Sequence, residues 1–166
     1  HYRDAAYVAT LLHEAARASQ PAAATALLRH GGFDANAALE FRGSVATPLD
    51  VATARYCAET VAVLLRAGAT PTLQHAAIAA SRATAVAIVT ALMERDDDLD
   101  WDRPLRSGET MLHVAARTGN LDLVHLLLTS GGCSVRLRDA HGACPLHSAV
   151  AAGQALSEAM RSDASW

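Results

Sequence analysis

The chain has 166 residues, is 51% hydrophobic but only 4% aromatic, and carries a formal net charge of −3. That length fits one domain of ordinary size, and the acidic balance excludes the sequence-independent pull that drives nucleic-acid binding. No run approaches the roughly 18 apolar residues of a membrane span, and nothing at the start reads as a signal peptide.

The alanine-rich, aromatic-poor composition suits closely stacked helices better than a sheet built on bulky cross-strand pairs. All 14 positive residues are Arg. Cys57, Cys133 and Cys144 form an odd set without a metal spacing, which favours a reducing compartment and an intracellular setting, cytoplasm or nucleus. The chain starts without Met and its last predicted helix is short, as expected of a piece of a longer protein.

In chain order, His1 to Ala9 leads into Thr10-Leu11-Leu12-His13, the start of a first helix. Pro21 fits the first turn of a second helix, where its missing N–H costs nothing, and Gly31-Gly32 closes it. Asp34-Ala35-Asn36-Ala37 begins an extended arm that runs to Val45. Thr47-Pro48-Leu49-Asp50 opens the next helix pair, whose second member carries Val61, Val63, Leu64 and Leu65 and stops at Gly68-Ala69. The third pair is degenerate. Its first helix is expected near Leu73 to Ser81, without a T-P-L-H start, and Ile88, Val89, Leu92 and Met93 mark its second. The arm after Gly68 is about five residues short against a regular period.

Glu94 to Asp102 is a polar, acidic stretch with Pro104 as its stop. Thr110 caps the following helix with its hydroxyl, and Leu112, Ala115 and Ala116 share one face. Gly119 suits the left-handed stop, and Asn120 caps a helix whose Leu123, Val124, Leu126, Leu127 and Leu128 are apolar nearly all round. Such a helix is expected to be buried on several sides, with Leu127 at an interface between units. Val135 to Asp139 forms an arm leading to a turn at Gly142. Cys144-Pro145-Leu146-His147 opens the last unit, and the polar Ala155 to Ser162 suits a terminal cap.

The units recur in detail. Gly108 returns as Gly142, Leu112-His113 as Leu146-His147, Ala115 as Ala149 and Gly119 as Gly153, always 34 residues on. Thr10 to Arg17 matches Thr110 to Arg117 at an offset of 100, three repeats of about 33. With T-x-L-H-x-A at the head of the unit, the chain resembles the ankyrin-repeat family. The resemblance implies an all-α ankyrin-repeat solenoid of about five stacked helix-turn-helix units in a single domain spanning 1–166. The units fall at approximately 1–36, 37–70, 71–98, 99–137 and 138–166, the third degenerate and the fifth a C-terminal cap. It further implies a non-catalytic module, without cofactor and monomeric as an isolated domain, that binds a partner protein or peptide through its arm tips and concave first-helix face. Two other roles fit the resemblance. One is a substrate-recognition adaptor of a ubiquitin ligase, where a lysine-free chain would escape self-modification (a codon bias favouring Ala and Arg accounts for that equally). The other is a regulatory ankyrin segment of a larger enzyme.

Residues that could carry chemistry read as structural. His13, His113 and His147 occupy one place in different units, so a stack holds them apart, and the resemblance gives that His a hydrogen bond to the preceding Thr. Cys144-x-x-His147 has metal-like order, but no second pair answers it. Asp98-x-Asp100-x-Asp102 with Glu109 mimics a calcium loop, yet Arg103 replaces the sharp-turn Gly and Pro104 follows where a carbonyl ligand should sit. No nucleophile elbow, Walker loop, dinucleotide fingerprint or zincin motif is present.

The surface therefore carries the expectation of function. Carried over from the family, the turn and first-helix positions nominate Arg106, Glu109, Arg117 and His141 as partner-binding residues, and the acidic stretch adds Asp98, Asp100 and Asp102 around Trp101, a residue type enriched in binding hot spots. The acidic arm beside a basic strip of Arg106, Arg117, Arg136 and Arg138 fits a partner segment that is basic and partly apolar, with no role for nucleic acid or membrane. Trp101 is either the anchor of that contact or a plug folded over the irregular third unit. The shortened arm before that unit is expected to leave a gap beside the acidic one.

Overall fold

The computed structural model describes residues 5–41, 44–80, 85–95 and 99–153. Asp98 and the expected capping helix at Ala155 to Ser162 lie outside the described residues. Helix pairs follow one another: α1 (Ala5–Arg17) with α2 (Pro21–Arg29), α3 (Pro48–Ala54) with α4 (Ala58–Arg66), α5 (Leu73–Ala79) with α6 (Ala85–Arg95), and α7 (Met111–Thr118) with α8 (Leu121–Thr129). The fifth unit opens with α9 (Pro145–Ala151). The first helices α1, α3, α5, α7 and α9 stack in one layer and the second helices α2, α4, α6 and α8 in another, each helix also packing on its partner. This is the expected all-α repeat stack.

The two layers are built from different side chains, and the sequence explains why. First helices bury small residues, Ala16, Ala52, Ala76, Ala79, Ala115 and Ala116 among them, so neighbouring backbones approach closely. Second helices bury mainly branched ones, Val61, Leu64, Ile88, Val89, Leu92, Leu123 and Leu127, while each first helix adds a larger anchor such as Leu12, Leu49 or Leu112. Leu127 is fully buried. Helix α8 is nevertheless not buried on every side: Leu126 and Leu128 are only half-buried, and Leu121 is 54% exposed. Its outer face is wet because stacking covers only the sides that meet other helices.

Short units need firm ends, since in a helix of two turns the orphan backbone groups outnumber the internal bonds. Gly119 closes α7 in the left-handed region at φ 74°, and the Asn120 side chain accepts from the Leu123 N–H to start α8. The arms between units vary. The first, expected to be a plain extended segment, folds into a hairpin of β1 (Leu39–Phe41) and β2 (Ser44–Ala46), with Leu39 opposite Ala46. Side-chain ties pin two of the arms to the next. Asn36 accepts from the Thr70 N–H at 2.8 Å and donates to the Gly68 carbonyl at 2.9 Å. Asp102 accepts from the Ser134 N–H at 2.9 Å.

Candidate functional site

The surface is set by how each first helix begins. In the fourth unit the His113 Nδ1 accepts from the Thr110 N–H at 3.3 Å and from its hydroxyl at 2.8 Å. That leaves the proton on Nε2, which donates to the Ala143 carbonyl of the next unit at 2.9 Å. His13 reaches the Ala46 carbonyl in the same way. One imidazole thus caps its own helix and fastens the arm of the following unit.

The second unit has Asp50 in the histidine's place. Its carboxylate accepts from the Thr47 N–H at 2.7 Å and hydroxyl at 2.8 Å, so the cap survives, but a side chain this short cannot reach forward. The third unit corrects the sequence reading. Its first helix is not uncapped: Thr72 and His75 form the same ring, with Nδ1 accepting at 3.0 and 2.9 Å. The motif is T-L-Q-H, with proline before the threonine instead of after it. His75 is buried and turns its Nε2–H back to Asp50 Oδ1 at 3.0 Å. Burial lowers the His75 pKa, against the pull of Asp50. Burial also pushes the Asp50 carboxyl up, but the Thr47 bonds and His75 outweigh it and hold the group below the usual carboxylate range. A neutral imidazole donating to a carboxylate satisfies both.

The expected partner-binding residues divide sharply. Trp101 is not a surface anchor: it is only 7% exposed and belongs to the hydrophobic core. An indole covers more apolar area than any other side chain, and here that area is turned into the core. Asp102 is largely spent on the Ser134 N–H. Asp100 is exposed, with Oδ1 accepting from the Asp102 N–H at 3.1 Å. Glu109 pairs with Arg117 at 3.0 Å across the mouth of α7 and with the Ser107 hydroxyl at 3.2 Å. Arg106 is exposed, and so is His141, whose N–H donates to Asp139 Oδ1 at 2.8 Å. The Ala143 and His141 N–H groups, with His113 and His141 nearby, hold the Asp139 carboxyl below its ordinary value.

An open groove of about 460 Å³ lies between Pro71–Gln74 at the start of α5 and the arm Leu99–Arg106. It occupies the place where the shortened arm before the third unit was expected to leave a gap beside the acidic one. Its walls carry Leu99, Leu105 and Pro104 beside Asp100, Arg103 and Arg106. Arg103 is an exposed lining residue that the sequence reading passed over; its place two residues after Trp101 in the same arm was the available signal. At the other side of that arm the tips close. A Cβ on Gly108 (φ 82°) would stand 2.7 Å from Ala140 Cβ, so the turns of the fourth and fifth units touch. Among the described residues no group of three or more His, Cys, Asp or Glu is placed to hold a metal, and no helix is long and apolar enough to cross a membrane.

The comparison with known families agrees with this geometry. A family model of ankyrin repeats in three copies matches residues 76–161, more than half of the chain. Repeats of this kind generally serve as protein–protein interaction modules and are typically non-catalytic. By its recurring threonine–histidine caps, its two-layer stack and that match, the chain belongs to the ankyrin-repeat family.

Proposed function

We propose that this domain is a non-catalytic module that binds a peptide segment of a partner protein across the arm tips of its third and fourth units. The observation that carries the reading is the groove itself, where the start of α5 and the following arm part enough to admit a side chain. A rigid stack loses little conformational entropy on binding, and the caps described above keep the arms rigid. The partner segment would place an apolar residue against Leu99 and Leu105. A basic residue would meet Asp100, which follows Asp96, Asp97 and Asp98 in sequence, and an acidic one would meet Arg103 and Arg106. Trp101 supports the groove from beneath without touching the partner. Glu109, Arg117 and His141 extend the same face along α7 and the next arm.

Selection of a displayed random-peptide library on the folded domain tests the reading. Enriched peptides should share an apolar residue flanked by charges and weaken with added salt, because exposed charges are screened within about 8–10 Å. Arg103→Glu with Arg106→Glu should then lower affinity by about tenfold or more. Selected peptides that bind the double variant as well as wild type would remove the groove from the site.

A further inference from the structure

The fifth unit caps its helix with a chemically different group. Where other first helices start from Thr47, Thr72 and Thr110, α9 starts from Cys144. Its Sγ lies 2.8 Å from His147 Nδ1, and the Cys144 N–H donates to the same nitrogen at 3.2 Å. Nδ1 is therefore an acceptor, and the thiol proton points at a basic nitrogen. The pair is reachable, with Cys144 half-buried and His147 exposed. In the first and fourth units the imidazole Nε2 is tied to the carbonyl of the next arm. His147 is exposed, so its ring can exchange a proton with solvent.

A nucleophile within hydrogen-bond reach of a base is the arrangement that activates cysteine. The other two thiols lack it. Cys57 faces the Thr60 hydroxyl at 3.0 Å, which is no base. Cys133 is buried, and burial, with Asp102 and Asp100 adding to it, pushes its pKa up to about 12.

We infer that the Cys144–His147 pair is a thiol-modification site that exchanges with small disulfides and in doing so uncaps the last unit. The thiol proton passes to His147 Nδ1 and Cys144 Sγ attacks one sulfur of the disulfide. A new S–S bond forms, the old one breaks, and the departing thiolate takes up a proton from the imidazolium. The products are a mixed disulfide on Cys144 and one free thiol, with no other oxidant required. The mixed disulfide no longer has an S–H to offer Nδ1, and its added bulk sits at the start of α9.

The folded chain is treated with oxidised glutathione near neutral pH and the adducts are located by peptide mass mapping over time. Cys144 should acquire the glutathionyl group at least about tenfold faster than Cys57, with Cys133 unreacted. Amides of α9 should then exchange faster in the adduct. His147→Gln retains a side chain able to accept the Cys144 N–H but no basic nitrogen, and should slow the reaction about tenfold at unchanged melting temperature. Dithiothreitol should restore the original exchange rates. Equal rates at Cys57 and Cys144 in the unsubstituted protein would overturn the proposal, and that comparison does not depend on any variant folding. An unchanged rate in a folded His147→Gln protein would overturn it too.

Discussion

The third and fourth units start with the same ring of hydrogen bonds and differ in where their imidazoles reach. His113 fastens the fourth unit forward to Ala143, whereas His75 ties the third backward to Asp50. Their first helices differ as well. Six consecutive residues of α7, Met111 to Ala116, are buried, against Leu73, His75, Ala76 and Ala79 in α5. Helix α7 also meets α9 over a broader face than it meets α5. A degenerate repeat thus keeps its cap and loses bulk, which locates its weakness in packing rather than at the helix end. The groove lies beside the shortened arm, whereas the turns of the fourth and fifth units, one regular repeat apart, meet at Gly108 and Ala140.

The comparison breaks most visibly at a leucine. Leu127→Ala removes a fully buried side chain between units and should cost about 2–5 kcal/mol, whereas Leu73→Ala, at 9% exposure beside the groove, should fall near about 2 kcal/mol. Chemical-denaturation midpoints read both. Native-state hydrogen exchange should show α5 opening before α8, because stability in a stack is roughly a sum of unit and nearest-neighbour terms. Equal costs and equal protection would mean that the third unit is no weaker than the fourth.

The sequence made some of this visible and hid the rest for identifiable reasons. Local periodicity with caps was enough for the helix pairs, because Thr110, Leu112, His113 and Gly119 each have a fixed job in a unit this short. The Thr72–His75 cap is hidden in the sequence because its proline precedes the threonine, so the order T-P-L-H is not present there. The ring needs only a hydroxyl and an imidazole three residues apart, whatever lies between. The Asp50–His75 bond joins different units and leaves no pattern within either. The sequence leaves Trp101 open between surface anchor and plug, because its acidic neighbours suggest surface while its burial depends on how the units stack; at 7% exposure it is the buried alternative. The structural role of Asp102 was recoverable, since it stands in the arm where Asn36 stands two units earlier and makes the same kind of tie to the next arm.

The closed side of the comparison is tested at Gly108. An added Cβ meets Ala140 Cβ at 2.7 Å in backbone geometry that L side chains rarely adopt. Gly108→Ala should therefore cost about 1–3 kcal/mol, combining the left-handed strain with overpacking between two turns. Gly132→Ala is the control, because its φ of 60° imposes similar strain while nothing lies within 4 Å of the new atom. If thermal melting ranks the two alike, the arms of the fourth and fifth units do not touch, and the contrast with the groove loses its second half.

The smallest effect is a pH dependence confined to the third unit. Burial, opposed by Asp50, leaves His75 with a pKa below the 6.5 of a free imidazole. As pH falls through 6.5 the unfolded chain takes up a proton at this residue while the folded one resists, so the unfolded state binds more protons. The His75 contribution to stability is accordingly complete above 6.5 and is lost progressively below it. Asp50, held below its ordinary 3.8 once the Thr47 bonds and His75 outweigh its burial, adds a second loss only when pH drops under 3.8. Melting temperature should therefore decline as pH is lowered from neutrality toward about 5. His75→Gln keeps an acceptor for the Thr72 N–H and a donor toward Asp50 but cannot titrate, so its curve should be flatter over that range. Protonation of His75 in the folded protein would also remove the acceptor used by Thr72, which is why the loss belongs to the cap and not to the exposed Asp50 edge alone. Parallel curves for the two proteins would place the acid sensitivity elsewhere and leave the backward tie without energetic consequence.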